Sequence, residues 1–159
     1  MTMNVADRIN ILVELGVYLQ TDSSTLEHVM EAAYLKNKWF TAANQKVALE
    51  AIIDHYLQEP LLKEWSNQYS LRKVPLPNPK KVALIPAGNI PLVGFHDVLC
   101  VFLSGHDLVI KYSEKDQVLS PFIVRKLKEL AEKNGLDWGI DEVEQMKNFE
   151  AVIATGSNN

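Results

Sequence analysis

A single cysteine, Cys100, in 159 residues leaves no partner for an internal disulfide and no material for a multi-cysteine metal cluster. The four histidines, His28, His55, His96 and His106, fall at no HxH or HxxxH spacing, so the sequence carries no metal-ligand signature. Neither sign of charge dominates. Lys and Arg number 16 against 20 Asp and Glu, a formal charge of −4, and no basic patch is interleaved with aromatics. Nucleic-acid binding therefore has no electrostatic support. The opening MTMNVADRIN carries Asp7 and Arg8 where a signal peptide would carry an apolar core, which makes a reducing, cytoplasmic setting the default expectation. Long hydrophobic runs are missing too. Residues 82–110 are strongly apolar, but Pro86, Pro91, His96-Asp97 and the stretch from Ser104 to Asp107 interrupt them. The longest clean run, Val98 to Leu103, falls far short of the ~20 residues a spanning helix needs. Neither GxGxxG nor a P-loop is present.

What is present reads as a packed α/β protein. The hydrophobic fraction is 47% and the charged fraction 23%, values that favour a packed core over disorder. Residues 1–70 form a helical N-terminal region. Apolar positions from Ile9 to Leu19 repeat at a helical period. Ser24 with Glu27 is expected as a capping box opening a helix to about Asn37. Thr41 is expected to cap the next helix, whose apolar face would comprise Val47, Leu49, Ile52, Ile53, Tyr56 and Leu57. Pro60 suits the first turn of a further short helix. Residues 71–80, with Pro75, Pro77 and Pro79, read as an extended connector.

From residue 81 the grammar alternates. Short apolar runs at 82–85, 108–110 and 151–154 are expected as three strands. Between them lie a buried helix from Leu92 to Leu103, ended by Gly105, and a helix over 120–133 with Ser120 as N-cap, Pro121 in its first turn and Asn134-Gly135 at its end. Strands alternating with helices imply parallel βαβ units and a nucleotide-binding type of sheet. Three parallel strands make a thin core, so residues 81–159 are expected to be the first half of a dinucleotide-binding domain and the chain a fragment.

Ligands of such sheets bind outside the carboxyl ends of the strands. Gly88 lets a ligand approach the backbone there, and the neutral amide of Asn89 can stabilise oxyanion charge without competing for protons; it can equally bond its own turn. Lys111 and Glu114, three residues apart after the second apolar run, can reach ribose hydroxyls or form a solvated ion pair. Thr155-Gly156-Ser157 can offer backbone amides and a hydroxyl to a phosphate. Cys100, inside an apolar helix, is expected to be an inert packing residue, and His96-Asp97 and His106-Asp107 to be helix-end polar groups.

The segment VALIPAGNIPLVGFHDVLCVFLSGHDLVIKYSEKD, together with FEAVIATGSNN, resembles the bacterial acyl-CoA reductase family. That family includes the fatty acyl reductase of bioluminescence and belongs to the aldehyde dehydrogenase superfamily. The resemblance is specific over residues 80–159 and looser over the helical half, where LLKEWSNQY carries it. It implies an α/β fold in which a helical region precedes a partial, Rossmann-like parallel sheet of the aldehyde dehydrogenase type. It also implies NAD(P)H-dependent reduction of an acyl-CoA or acyl-protein thioester to an aldehyde, through a cysteine lying downstream of these residues. By similarity Asn89 is the oxyanion-hole residue, and Ile85, Pro86, Lys111, Ser113, Glu114, Gly156 and Ser157 meet the cofactor. Two departures stand out: Ala87-Gly88 replaces a single aromatic residue, and Tyr112 replaces a proline. A homo-oligomer is expected. An NAD-dependent aldehyde dehydrogenase and a non-catalytic α/β interaction module are the alternatives. The reductase reading treats Asn89, Lys111 and Ser157 as one wall of a shared nucleotide pocket.

Overall fold

The computed structural model describes residues 3–71 and 75–156. Four helices come first. In α1 (Val5–Thr21) Asn4 and Asp7 form a reciprocal capping box, each side chain accepting from the other's backbone N–H at 3.0 and 2.9 Å. The expected box at Ser24 and Glu27 is not formed. α2 (Ser23–Lys36) begins only one residue after α1, and Asp22 between them accepts from Thr25 N at 3.3 Å. Ser24 is thus already helical. Thr41 caps α3 (Ala42–Tyr56) as expected, accepting from Asn44 N at 3.2 Å, and Pro60 lies in the first turn of α4 (Glu59–Asn67).

The sheet has four parallel strands, one more than the sequence shows. β1 (Lys81–Ile85), β2 (Asp107–Ile110), β3 (Ile140–Glu142) and β4 (Ala151–Ala154) stand in the order β3-β2-β1-β4. The unexpected strand, β3, has one apolar residue in three, so no pattern marks it. Register against β2 defines it, with Leu108 opposite Ile140 and Ile110 opposite Glu142. α5 (Phe95–Leu103) joins β1 to β2, and α6 (Leu119–Lys133) joins β2 to β3. Both helices end in Schellman motifs at glycines with positive φ. Gly105 and His106 donate to Phe102 O and Val101 O, while Gly135 and Leu136 donate to Glu132 O and Ala131 O.

Two helix starts differ from expectation. α5 begins at Phe95 rather than Leu92, because Leu92 holds φ +60° and turns occupy the residues before it. α6 begins at Leu119, so Ser120 is inside the helix and is not its cap. The Asp116 carboxylate does that work, accepting from Ser120 N at 3.0 Å and from the Ser120 hydroxyl.

Helices and sheet share one core. Leu12 and Leu15 of α1, Phe102 of α5, Leu84 and Ile110 of the sheet and Leu127 of α6 belong to a single buried cluster. Arg8 of α1 is buried in it, donating Nη1 to Phe102 O at 2.8 Å with its guanidinium 5.2 Å from the Phe102 ring centroid. Burial lowers its pKa. Trp138 closes the far side, edge-on to Phe102 at 4.9 Å and donating to His106 O at 2.9 Å.

Candidate functional site at the carboxyl edge of the sheet

Strand order locates the site before any side chain is considered. The chain runs outward from β1 through β2 to β3, then returns to the opposite flank of β1 as β4. The reversal falls between β1 and β4, and a crevice at the carboxyl ends of strands parting in this way is the usual ligand site of open α/β sheets.

Ile85 ends β1, and Pro86, Ala87 and Gly88 follow it. Ala87 N donates to Thr155 Oγ1 at 3.1 Å, which ties the tip of β1 to the tip of β4. Gly156, next to Thr155, has φ +141°, and among the described residues the nearest neighbour of a Cβ built on it is the Ala87 Cβ at 3.9 Å. Ser157 lies outside the described residues. On the other flank Gly88 rests against Ser113, so closely that a Cβ on Gly88 would fall 2.0 Å from Ser113 Oγ. Ile85, Pro86, Ser113 and Gly156 therefore belong to three adjoining loops at one edge.

Lys111 and Glu114 lie together in a cavity of about 550 Å³ beyond the tips of β2 and β3. Arg125 of α6 grips Glu142 there through two parallel hydrogen bonds, Nε to Oε1 at 2.9 Å and Nη2 to Oε2 at 2.6 Å. Tyr112 donates to Glu142 Oε1 at 3.3 Å, and burial, then the Glu142 charge, pushes its phenol far up. Arg125 is engaged by Glu142, and Lys111, Glu114 and Glu144 also line this space.

Asn89 does not share that cavity. The loop turns at Gly88 and carries Asn89 toward α3, where it lies on the rim of a cleft of about 730 Å³ between α3 and the turns before α5. The expected single wall through Asn89 and Lys111 is thus two spaces on one sheet edge, meeting at the Gly88–Ser113 contact. The contact exists because residue 88 has no Cβ, which lets the loop backbone pack directly onto Ser113.

Three features of the site had no clear signal in the sequence. Asp116 is buried and binds Leu92 N at 3.4 Å as well as the start of α6, so it fixes the Asn89–Leu92 turn to the β2–α6 loop. Thr155 Oγ1 links two strand tips. The third is the outer face of α3: Val47 and Tyr56, expected to be buried with Leu49 and Ile52, point into the cleft instead. A helix apolar on more than one face was the available clue.

The remaining titratable groups have structural surroundings. Cys100 is half-buried in α5, and burial, then Asp97, pushes its thiol up to about 11. His96, its neighbour at 3.8 Å, is packed between Tyr56 and Trp65. His106 Nδ1 accepts from Lys80 N at 3.0 Å, and Asp107 Oδ1 accepts from Gly139 N at 3.1 Å. Among the described residues no cluster of three or more His, Cys, Asp or Glu could hold a metal ion, and no helix is long and apolar enough to cross a membrane.

Comparison with known proteins bears on the whole chain. A search of curated proteins returns no match. The sequence profile of the acyl-CoA reductase (LuxC) family matches residues 4–157, nearly the full length, and the chain belongs to that family.

Proposed function

We propose that these residues form the nucleotide-holding and carbonyl-polarising part of an NAD(P)H-dependent reductase that converts a fatty acyl thioester, on coenzyme A or on a protein, to an aldehyde. The observation that carries this reading is the gathering of Ile85 to Asn89, Lys111 to Glu114 and Thr155-Gly156 at the carboxyl ends of three adjacent parallel strands, where the strand order reverses.

The residues fit a dinucleotide. A glycine tip at 156, whose φ of +141° other residues rarely adopt, would let a phosphate approach the backbone closely. The cavity holding Lys111 and Glu114 has the polarity of a ribose site, with Glu114 and Lys111 as acceptor and donor to sugar hydroxyls. Ile85, Pro86 and Ser113 would shape the wall between. Bound NAD(P)H would supply the hydride that turns an enzyme-held thioester into an aldehyde.

The chain's own part in the reaction is electrostatic. Asn89 donates its side-chain N–H to the thioester oxygen as a thiolate attacks the acyl carbon and the coenzyme A sulfur departs. Such a donor is worth about 100- to 1,000-fold in rate. The attacking cysteine is not Cys100, whose thiol is held protonated by its apolar surroundings. It is supplied by residues outside these 159, and assembly into a homo-oligomer accompanies it.

The test is calorimetric titration of the purified chain with NADH and NADPH. Saturable binding of either, weakened about tenfold or more in Lys111→Ala and Glu114→Gln by loss of charge-assisted hydrogen bonds, supports the reading. No binding of either nucleotide, or acyl-CoA turnover abolished in Cys100→Ala, overturns it.

A further inference from the structure

The cleft beside Asn89 has a chemistry of its own. It is concave and of about 730 Å³, and none of its lining residues is Asp, Glu, Lys or Arg. That volume falls among small-molecule sites, which span roughly 300–1,000 Å³. Apolar side chains that elsewhere would be buried converge on it with much of their surface in water: Trp39 is 77% exposed, Val47 66% and Ile90 54%. The polar groups at its Trp39 end are occupied within the fold. Asn44 Nδ2 donates to Trp39 O at 3.0 Å, and Thr41 Oγ1 accepts from Asn44 N at 3.2 Å. At the other end Tyr56 and His96 pack ring against ring, with centroids 5.4 Å apart. A trough with no charged wall and mostly apolar lining offers little to an ionic ligand and rewards removal of hydrocarbon from water.

We infer that this cleft holds the hydrocarbon tail of the acyl thioester, and that Ala48 and Ala51 of α3 set the longest tail it accepts. The inference rests on the thioester reading above, because Asn89 on the rim places the carbonyl end at the mouth. Ala48 and Ala51 stand one helical turn apart on the α3 side of the cleft, and both lack bulk where Val47 and Ile52 beside them have it. Ala51 is exposed and Ala48 partly so, which means larger side chains at these positions grow into the cleft and not into the core.

The experiment is calorimetry of the full chain with coenzyme A and with octanoyl-, dodecanoyl- and hexadecanoyl-CoA, each below its micelle concentration. Affinity should rise by about fourfold per methylene that enters the cleft and then level off. Ala48→Phe and Ala51→Phe should move the levelling point to shorter tails while leaving octanoyl-CoA binding within about twofold. Ala48→Leu and Ala51→Leu, checked by circular dichroism, replace any phenylalanine variant that does not fold. A series flat in tail length, or a levelling point that stays put in the folded variants, overturns the inference. A flat series together with a doubled mass that Val47→Asp returns to monomer also overturns it, and gives the cleft to a second copy of the chain. Nucleotide titrations on the same samples separate the two readings. NADH or NADPH binding without tail dependence sinks only the acyl cleft, and tail dependence without nucleotide binding supports the cleft while sinking the cofactor site.

Discussion

Gly88 is the residue on which the shape of the site turns. A methyl group there meets Ser113 at 2.0 Å from Oγ and 2.5 Å from Cβ, and Ser113 is too short to swing away. Gly88→Ala should therefore cost about 1–3 kcal/mol, the range for an overpacked site, read as a fall in midpoint of urea unfolding. Adding Ser113→Gly removes both contacts and leaves the Lys115 Cβ at 3.1 Å as the next neighbour, so the double variant should recover most of the loss. Two changes that each look disruptive but cancel would show that the loop–loop contact is direct. Cys100 gives a second test at this scale. Its raised pKa leaves about a hundredfold less thiolate at neutral pH than a thiol at 9.0, and its alkylation rate should climb until pH is near 11 instead of levelling near 9. The burial that raises the Cys100 thiol was partly legible in sequence, because Leu99, Val101, Phe102 and Leu103 around it are apolar, but the contact with His96 and the effect of the Asp97 charge one turn earlier came only with the structure. The contact partner of Gly88 was not legible, since 25 residues separate 88 from 113 and no local pattern pairs them.

Asp116 acts between elements. Its carboxylate serves both the N-terminus of α6 and the amide of Leu92, whose φ of +60° is a costly backbone state for a leucine. Asp116→Ala leaves buried donors unsatisfied and should destabilise by about 1–3 kcal/mol. Amide exchange should quicken first at Leu92 and Ser120, with Asp116→Asn retaining part of the protection. A second link joins α1 to α6: Glu14 accepts from Lys133 and from Asn134, the latter at 2.9 Å. These bonds, that from Lys133 first, hold the Glu14 carboxyl below its ordinary 4.5. A depressed carboxyl stabilises the fold above its unfolded pKa and ceases to as pH falls through the folded value. Thermal melts of the wild type and Glu14→Gln should differ above pH 4.5 and converge below it. The pair is largely exposed, so the difference should be about 0.2–1 kcal/mol. At this scale the periodic elements could be read and their boundaries could not. α3, β1 and β2 are strong patterns. β3 is Ile-Asp-Glu and exists because Leu108 to Ile110 offer it a ladder, which is information held 30 residues away. A serine before a proline reads as a helix cap, which points to Ser120 as the start of α6; Asp116 takes that place because its longer reach serves both the α6 start and the Leu92 amide.

The whole molecule folds around α1. Its buried face meets α3, α4, α5 and α6, and Arg8 reaches the Phe102 carbonyl in the last turn of α5. The helical and sheet regions, distinct in sequence grammar, share one core, so far-ultraviolet and near-ultraviolet circular dichroism should report the same single transition on heating. Two separated transitions would contradict the shared core. The parallel sheet is what the alternation of strands and helices promised, while the strand order and its reversal came only with the structure. The division of the carboxyl edge into two spaces was hidden, because it depends on which way one loop bends. The strand order also imposes a timetable on biosynthesis. Val82 pairs with Ala151, 69 residues later in the chain. At about 5–20 residues per second on a ribosome, the β4-facing edge of β1 stays bare for several seconds after β2 has had its chance to pair on the other side. The crevice between β1 and β4 is therefore the last part of the sheet to close in a nascent chain, and a chaperone that shields the bare edge has those seconds in which to act.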